Sequence, residues 1–310
     1  MDFNTFRKLF EVEPVIEKKN STPKKPMVSV CIQTYNQENY ISQCIESILS
    51  QETTFQFEIL LADDGSDDET PKICLYYANK YPNKIRYIIH SRINNIKVLG
   101  QSSANFISIF NFFSARGKYI AICEGDDFWG DSQKLQKQYE FMEENPGYSL
   151  CYHSFIPVND KGIYIDTQLV SPIKKSIKSK DLIFPWVHPS TLTIFFRNIL
   201  DKIPIEATKV LTLDVFLYSI LGNFGPGKYL KEISPSYYRL QDNGLWGKRD
   251  LSYKLLNKIN TYKNIGDYYK RIDSLEFSKV FRSRILKLRL YLFYYNLKKF
   301  RFKKAFQNLL

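Results

Sequence analysis

Between Val28 and Cys123 the chain alternates two kinds of segment, and this alternation constrains the fold more than any other feature. VSVCI (28–32), FEILLADD (57–64), IRYIIH (85–90) and KYIAIC (118–123) are short, β-branched, apolar runs. Between them lie NYISQCIESILSQ (39–51), DDETPKICLYYANKY (67–81) and SANFISIFNFFSARG (103–117), whose apolar residues recur at helical intervals, as Ile41, Cys44, Ile45, Ile48 and Leu49 do. A β-α-β-α-β-α-β series of this length predicts a parallel sheet flanked by helices. VSVCI shows no alternation, as expected of a strand covered on both faces. Asp67 and Asp68 are cap candidates for the second helix, with Pro71 near its first turn.

Open sheets of this kind bind ligands at the carboxyl ends of their strands. Here those ends carry QTYNQ (33–37), ADDGSDD (62–68), HSRINN (90–95) and CEGDDFW (123–129). Polar and acidic residues therefore gather on one rim. No GxGxxG follows the first strand and no GxxxxGK[ST] occurs anywhere, which disfavours a dinucleotide cofactor and excludes a P-loop.

Three segments are expected: an N-terminal arm or linker over 1–26 ending in STPKKP, a domain over 27–247, and a helical, basic extension over 248–310. The chain has no 18-residue apolar run and its first residues are too charged for a signal peptide, so a cytoplasmic location is expected. Its formal charge is +12, yet ten Lys or Arg lie between Lys279 and Lys304, with no Asp or Glu from 279 onward. The body is nearly balanced, which argues against a nucleic-acid groove. Five cysteines without CxxC spacing (Cys31, Cys44, Cys74, Cys123, Cys151) read as buried thiols.

The chemistry lies in the acidic rim. Glu124, Asp126 and Asp127 at one strand end repel one another unless a cation intervenes, and they are hard oxygen ligands suited to Mg²⁺ or Mn²⁺, whose shell water and substrate phosphates complete. The competing reading is a solvated acidic turn capping the helix that begins near Asp131. Asp63, Asp64, Asp67 and Asp68 crowd a second strand end, where Gly65 permits a tight turn that points Asp64 inward, toward donors on a nucleobase or ribose. Helix capping accounts for Asp67 or Asp68 but explains Asp64 poorly.

VSVCIQTYNQENYISQCIESILSQ, FEILLADDGSDDET and GKYIAICEGDDFW, in this order, resemble the GT-A glycosyltransferases of family 2 over roughly residues 27–245. The resemblance implies a Rossmann-like, mostly parallel sheet and an inverting transferase that uses a nucleotide-sugar donor. It places the nucleoside on Gln33, Thr34, Tyr35, Asn36 and Asp64, and the metal on Glu124, Asp126 and Asp127. Gln33 stands where Pro is common, and Glu124 replaces the usual Asp. Asp214, isolated in the apolar helix LTLDVFLYS, is the candidate base, the alternative being a solvent-facing or capping carboxylate. PSYYRLQDNGLW resembles the family's late loop, with Arg239 against the diphosphate and Gln241 in the usual His position. His188 in WVHPSTL resembles a residue near the acceptor cleft, Trp186 and Trp246 offer sugar-stacking faces or core packing, and His90 and Arg92 carry a weaker signal. Residues 159–186, polar and lysine-rich, are where acceptor selection is expected.

In the basic extension, Phe277, Phe281, Ile285, Leu288, Leu292 and Tyr295 form one helical stripe. This predicts either peripheral membrane contact through the C-terminal helix, suited to a glycan or lipid-linked acceptor, or a helix pair packed on the domain. Two other functions compete with transfer of a sugar in surface polysaccharide synthesis. A sugar-nucleotidyltransferase would want a Gly-rich, basic loop where QTYNQ stands. A non-catalytic scaffold would keep a vestigial site and bind membrane or nucleic acid through its tail.

Overall fold

The computed structural model describes residues 1–167, 170–241 and 249–299. Its main sheet has eight strands: β1 (Ile16–Glu17), β2 (Val28–Thr34), β3 (Phe57–Asp63), β4 (Ile85–Ile89), β5 (Tyr119–Ile122), β6 (Leu150–Tyr152), β8 (Phe195–Arg197) and β9 (Gly227–Tyr229), while β7 (Phe155–Val158) and β10 (Ser236–Arg239) pair separately and in parallel. The spatial order is β1-β4-β3-β2-β5-β8-β6-β9. β4, β3, β2 and β5 are parallel, β1 and β8 run against their neighbours, and β6 and β9 pair in parallel. β2 and β3 are buried along almost their whole length, as unalternating apolar strands must be.

Helices cover both faces. α2 (Ile41–Leu49), α3 (Thr70–Lys80) and α5 (Lys134–Glu144) contribute to one core with Val30, Ile32, Ile59 and Leu61. α4 (Asn105–Ser114), the five-residue α6 (Ser179–Ile183) and α7 (Leu213–Leu221) pack on the other, against Cys31, Leu60 and Ile120. All five cysteines are free and buried. At the amino ends of the strands the buried carboxylate of Glu58 is fully paired, taking Ser29 Oγ at 2.7 Å, the Arg116 amide at 3.0 Å and Arg86 Nη1 at 3.3 Å.

One expectation needs correction, and of one pair of alternatives the structure favours the second. Residues 1–26 are not a surface arm. α1 (Phe3–Phe10) is capped by Asp2 and buries Phe6 completely, stacked on Phe106 at 5.2 Å, while β1 zips onto β4. The spacing of Phe3, Phe6 and Phe10 was the overlooked signal. The C-terminal stripe is likewise turned inward. α8 (Leu251–Arg271) and α9 (Leu275–Lys298) form an antiparallel pair; Phe281 and Leu292 are fully buried, and Phe277, Ile285 and Leu288 pack against the core. Of the described helices none is long and apolar enough to cross a membrane.

Candidate active site

The loops after β2 and β5 form the floor of the rim and are knitted together. The Gly125 amide donates to Gln33 O at 3.0 Å and the Thr34 hydroxyl to Gln37 Oε1 at 2.7 Å. A side chain at Gly125 would place Cβ only 2.3 Å from that same Gln37 oxygen, so only glycine lets the acidic turn lie this close to the first strand.

The Asp64 carboxylate is buried beside this floor. Its Oδ2 accepts from Asn95 Nδ2 at 2.8 Å and Arg92 Nη1 at 3.0 Å, whereas Oδ1 is buried with no partner. Burial raises its pKa against the opposing pull of Asn95 and Arg92. Gly65 takes the left-handed conformation (φ +69°) that the turn requires. Arg92 lies 3.7 Å over the half-exposed ring of Tyr35, so Asp64, Arg92 and Tyr35 make one recognition surface with an open acceptor atom. Arg92, only weakly signalled by the sequence, and Asn95, not singled out at all, hold that carboxylate. Asn36 does something else: it is clipped to Asp67 by reciprocal bonds of 2.6 and 3.0 Å, which ties the first loop to the DDGS turn.

The second cluster is less compensated. Glu124 is pushed up to about 7, chiefly by burial, with the charges of Asp126 and Asp214 adding to it and a bond from Thr191 opposing. Its Oε2 has no partner. Asp126 is raised by burial and takes Gln241 Nε2 at 2.8 Å; Asp127 is raised well above its ordinary value by burial and by its two acidic neighbours. Asp127 Oδ1 accepts the Arg239 amide at 2.8 Å, so this carboxylate pins β10 to the turn. Among the described residues no three His, Cys, Asp or Glu side chains converge on one point. The expected three-carboxylate metal set is therefore not assembled. The orphaned Glu124 oxygen and the mutual repulsion of Glu124 and Asp126 do fit a cation held by one or two carboxylates and completed by phosphate oxygens.

Arg239 departs furthest from expectation. It is buried, and its guanidinium donates to Asp126 O (2.8 Å), Asn159 O (2.9 Å), Asp160 O (2.8 Å) and Gln43 Oε1 (2.8 Å). Among the described residues those bonds take four of its five N–H groups, so the side chain braces the acidic turn against α2 and the loop after β7 rather than offering a fork to a diphosphate. Trp246 lies outside the described residues.

Asp214 stands in the first turn of α7, where the helix dipole favours its charge, and its Oδ2 is 4.0 Å from His188 Nδ1. The His188 ring stacks on Tyr218 at 5.2 Å, and the Tyr218 hydroxyl donates to Pro189 O. Two cavities meet at Asp214. One, of about 510 Å³, includes Gln33, Glu124, Asp126 and Gln241 in its wall; the other, of about 470 Å³, includes Trp186, His188, Lys258 and Tyr262. Both share Thr191, Asp214, Tyr238 and Lys254. His90, by contrast, is buried between Phe106 and Phe110, and burial pushes its pKa down to about 3, so it is a neutral core ring.

A strand-end cleft with an acidic floor, on a mostly parallel sheet flanked by helices, is the GT-A architecture of the solved structures this chain resembles. Residues 29–203 match the family model "Glycosyl transferase family 2", and the chain belongs to that family. Rv1520 of Mycobacterium tuberculosis is 32% identical over 221 residues, which are 71% of this chain and 60% of that protein. The chain thus spans well under two thirds of that relative. The minor teichoic acid biosynthesis protein GgaA of Bacillus subtilis is 38% identical over 118 residues, covering 37% of this chain and 25% of its own length. The mannosyltransferase PcManGT of Pyrobaculum calidifontis, solved with GDP-Man and Mn²⁺, shares the fold with a TM-score of 0.51 at 14% identity, over 97% of this chain and 79% of that one.

Proposed function

We propose that the chain transfers a sugar from a nucleotide diphosphate donor to an acceptor hydroxyl with inversion at the anomeric carbon. The observation that carries this reading is the position of Asp214 at the seam of two cavities, one floored by Glu124 and Asp126 and the other, among the described residues, free of acidic residues apart from Asp214 itself. The first cavity takes the donor, and the second takes the acceptor. Asp64, through its unpartnered Oδ1, accepts from an N–H of the base or a ribose hydroxyl, with Tyr35 and Arg92 beside it and Gln33 and Thr34 closing the floor.

Asp214 removes the proton from the acceptor hydroxyl as its oxygen bonds to the anomeric carbon. The bond from that carbon to the diphosphate breaks on the opposite face, and the leaving group departs with the electron pair. Glu124 and Asp126 would hold a Mg²⁺ or Mn²⁺, which when bound neutralises diphosphate charge. His188, stacked on Tyr218 and with Nδ1 3.3 Å from Pro189 O, stands 4.0 Å from the Asp214 carboxylate as its neighbour on the acceptor side. Arg239 acts on the donor side only through the turn it braces.

The acceptor in this reading is a glycan or a lipid-linked unit of surface polysaccharide assembly, a reading supported by the likeness to GgaA. Peripheral membrane contact is then made by the outer face of α9, where Leu286, Leu290, Tyr291 and Tyr294 are each more than half exposed among Lys279, Arg282 and Lys287. Each basic residue at an anionic surface contributes on the order of 1 kcal/mol.

Purified protein with Mn²⁺ and a panel of nucleotide sugars should slowly release free nucleoside diphosphate. Asp214→Asn should lose transfer while keeping nucleotide affinity, and a fully active variant would remove Asp214 from the role of base. Leu286→Ser with Leu290→Ser should weaken sedimentation with anionic liposomes; unchanged sedimentation would leave that face without a membrane role.

A further inference from the structure

The second cavity carries charges that the reaction as described does not use. Lys254 and Lys258 lie one turn apart on α8 and both line it. Lys258 Nζ is 5.7 Å from the ring centres of Trp186 and Tyr262, and the Arg284 guanidinium of α9 lies 3.8 Å over the Trp186 ring. Arg284 Nη1 is buried without a hydrogen-bond partner. Among the described residues neither lysine nor Arg284 takes part in an ion pair. Burial, and then the charge of Arg284, lowers the pKa of Lys258; burial lowers that of Arg284, and Asp181, the one carboxylate acting on it, acts more weakly than Tyr262.

Lys258 and Arg284 are half-buried cations with only the weakly acting Asp181 as counter-charge, an arrangement that is costly unless an anion arrives to meet them. Trp186 is 54% exposed; with Arg284 covering part of it, the remainder faces the cavity as a platform for a sugar or polyol. Asp214 lines the same cavity, so the basic residues and the candidate base share one space.

We propose that this cavity is a subsite for a phosphate-bearing acceptor, with Lys254 and Lys258 receiving the phosphate, Arg284 adding positive charge from behind Trp186, and Trp186 carrying the adjoining unit whose hydroxyl faces Asp214. The acceptor geometry rests on the reading of Asp214 as base; the anion site does not. Two sources present this chemistry: the phosphodiester of a polyol-phosphate polymer, and the diphosphate of a lipid carrier.

Calorimetry on the full chain, without donor, separates them. The probes are a glycerol-phosphate trimer for the polymer, citronellyl diphosphate for the carrier, and lactose as a neutral control. At least one phosphate probe should bind tenfold or more tightly than lactose, and the one that does identifies the source. Lys254→Gln and Lys258→Gln together should erase that preference. Lys254→Gln alone, at an exposed position that cannot unfold the domain, should weaken it two- to fivefold. Equal binding of all three probes, or a phosphate preference that survives the double substitution in a folded protein, overturns the subsite. Loss of transfer in Asp214→Asn alongside absent phosphate binding would sink the subsite and leave the base standing; phosphate binding alongside a fully active Asp214→Asn would do the reverse.

Discussion

The two acidic strand ends have similar composition and opposite chemistry. After β3, Asp63 takes Ser66 Oγ at 2.5 Å, Asp67 is clipped to Asn36, and Asp68 caps the amides of Thr70 and Glu38 at 2.9 and 3.1 Å. Among the described residues only one buried oxygen of that group, Oδ1 of Asp64, lacks a partner. After β5, three carboxylates within four residues all have raised pKa values and Glu124 keeps an unpartnered oxygen. Carboxylates that satisfy local amides build a turn; carboxylates left to repel one another await a ligand.

Substitutions should split along that line. Asp126→Asn should cut transfer on the order of 10²–10³-fold, the scale of losing a main electrostatic contact, while thermal stability holds or rises because a like charge has gone. A sharp fall in melting temperature instead would make the second turn as structural as the first. Arg239→Gln should unfold rather than merely disarm: losing its set of charge-assisted bonds costs about 3 kcal/mol or more in denaturant titration. If stability is unchanged and only donor affinity falls, the guanidinium serves the diphosphate after all. Asp68→Ala, in the satisfied cluster, should cost about 1 kcal/mol and leave turnover nearly intact.

A separate effect is one of pH. Lys134, buried under the acidic turn with its Nζ 3.8 Å over the Trp129 ring, is pushed down to about 7 by burial, just as Glu124 is pushed up to about 7. A carboxyl raised in the folded state loses stabilisation as pH climbs from about 4.5 to 7. A lysine lowered in the folded state regains it as pH climbs from about 7 to 10.5. Metal-free protein should therefore be least stable near pH 7, with limbs no steeper than about 1.4 kcal/mol per pH unit for each group. Glu124→Gln should flatten the acid limb and Lys134→Met the alkaline one. A stability curve without that dip would show both groups to be better solvated than their burial suggests.

Much of the parallel sheet was legible because apolar periodicity is a local property, and β2 to β5 with α2 to α4 follow it closely. Glu124, Asp126 and Asp214 were legible for a related reason: an acidic residue at a strand end or on an apolar helix is conspicuous without knowing its neighbours. Direction was not legible. Arg239 looked like a free cation in YYRLQ, yet its partner Gln43 is 196 residues away. The aromatic stripe of α9 shows its helical period in the sequence but not what it faces, and membrane contact or packing on the domain both fit it, because nothing in the stripe announces that α8 will cover it. Lys258, Arg284 and Trp186 come from three separate segments and meet only in the folded chain.

Sequence alone thus determined the layered α/β architecture and which carboxylates stand on the rim, since both follow from spacing along a few turns or strands. Tertiary structure alone decided which charges are spent on holding loops together and which stay open to a ligand. That distinction depends on hydrogen-bond partners brought from other loops, from about thirty residues away for Asp64 and Asp67 to nearly two hundred for Arg239, and burial makes each such pairing decisive, because a polar group removed from water must find its partner in the fold or in the molecule it binds.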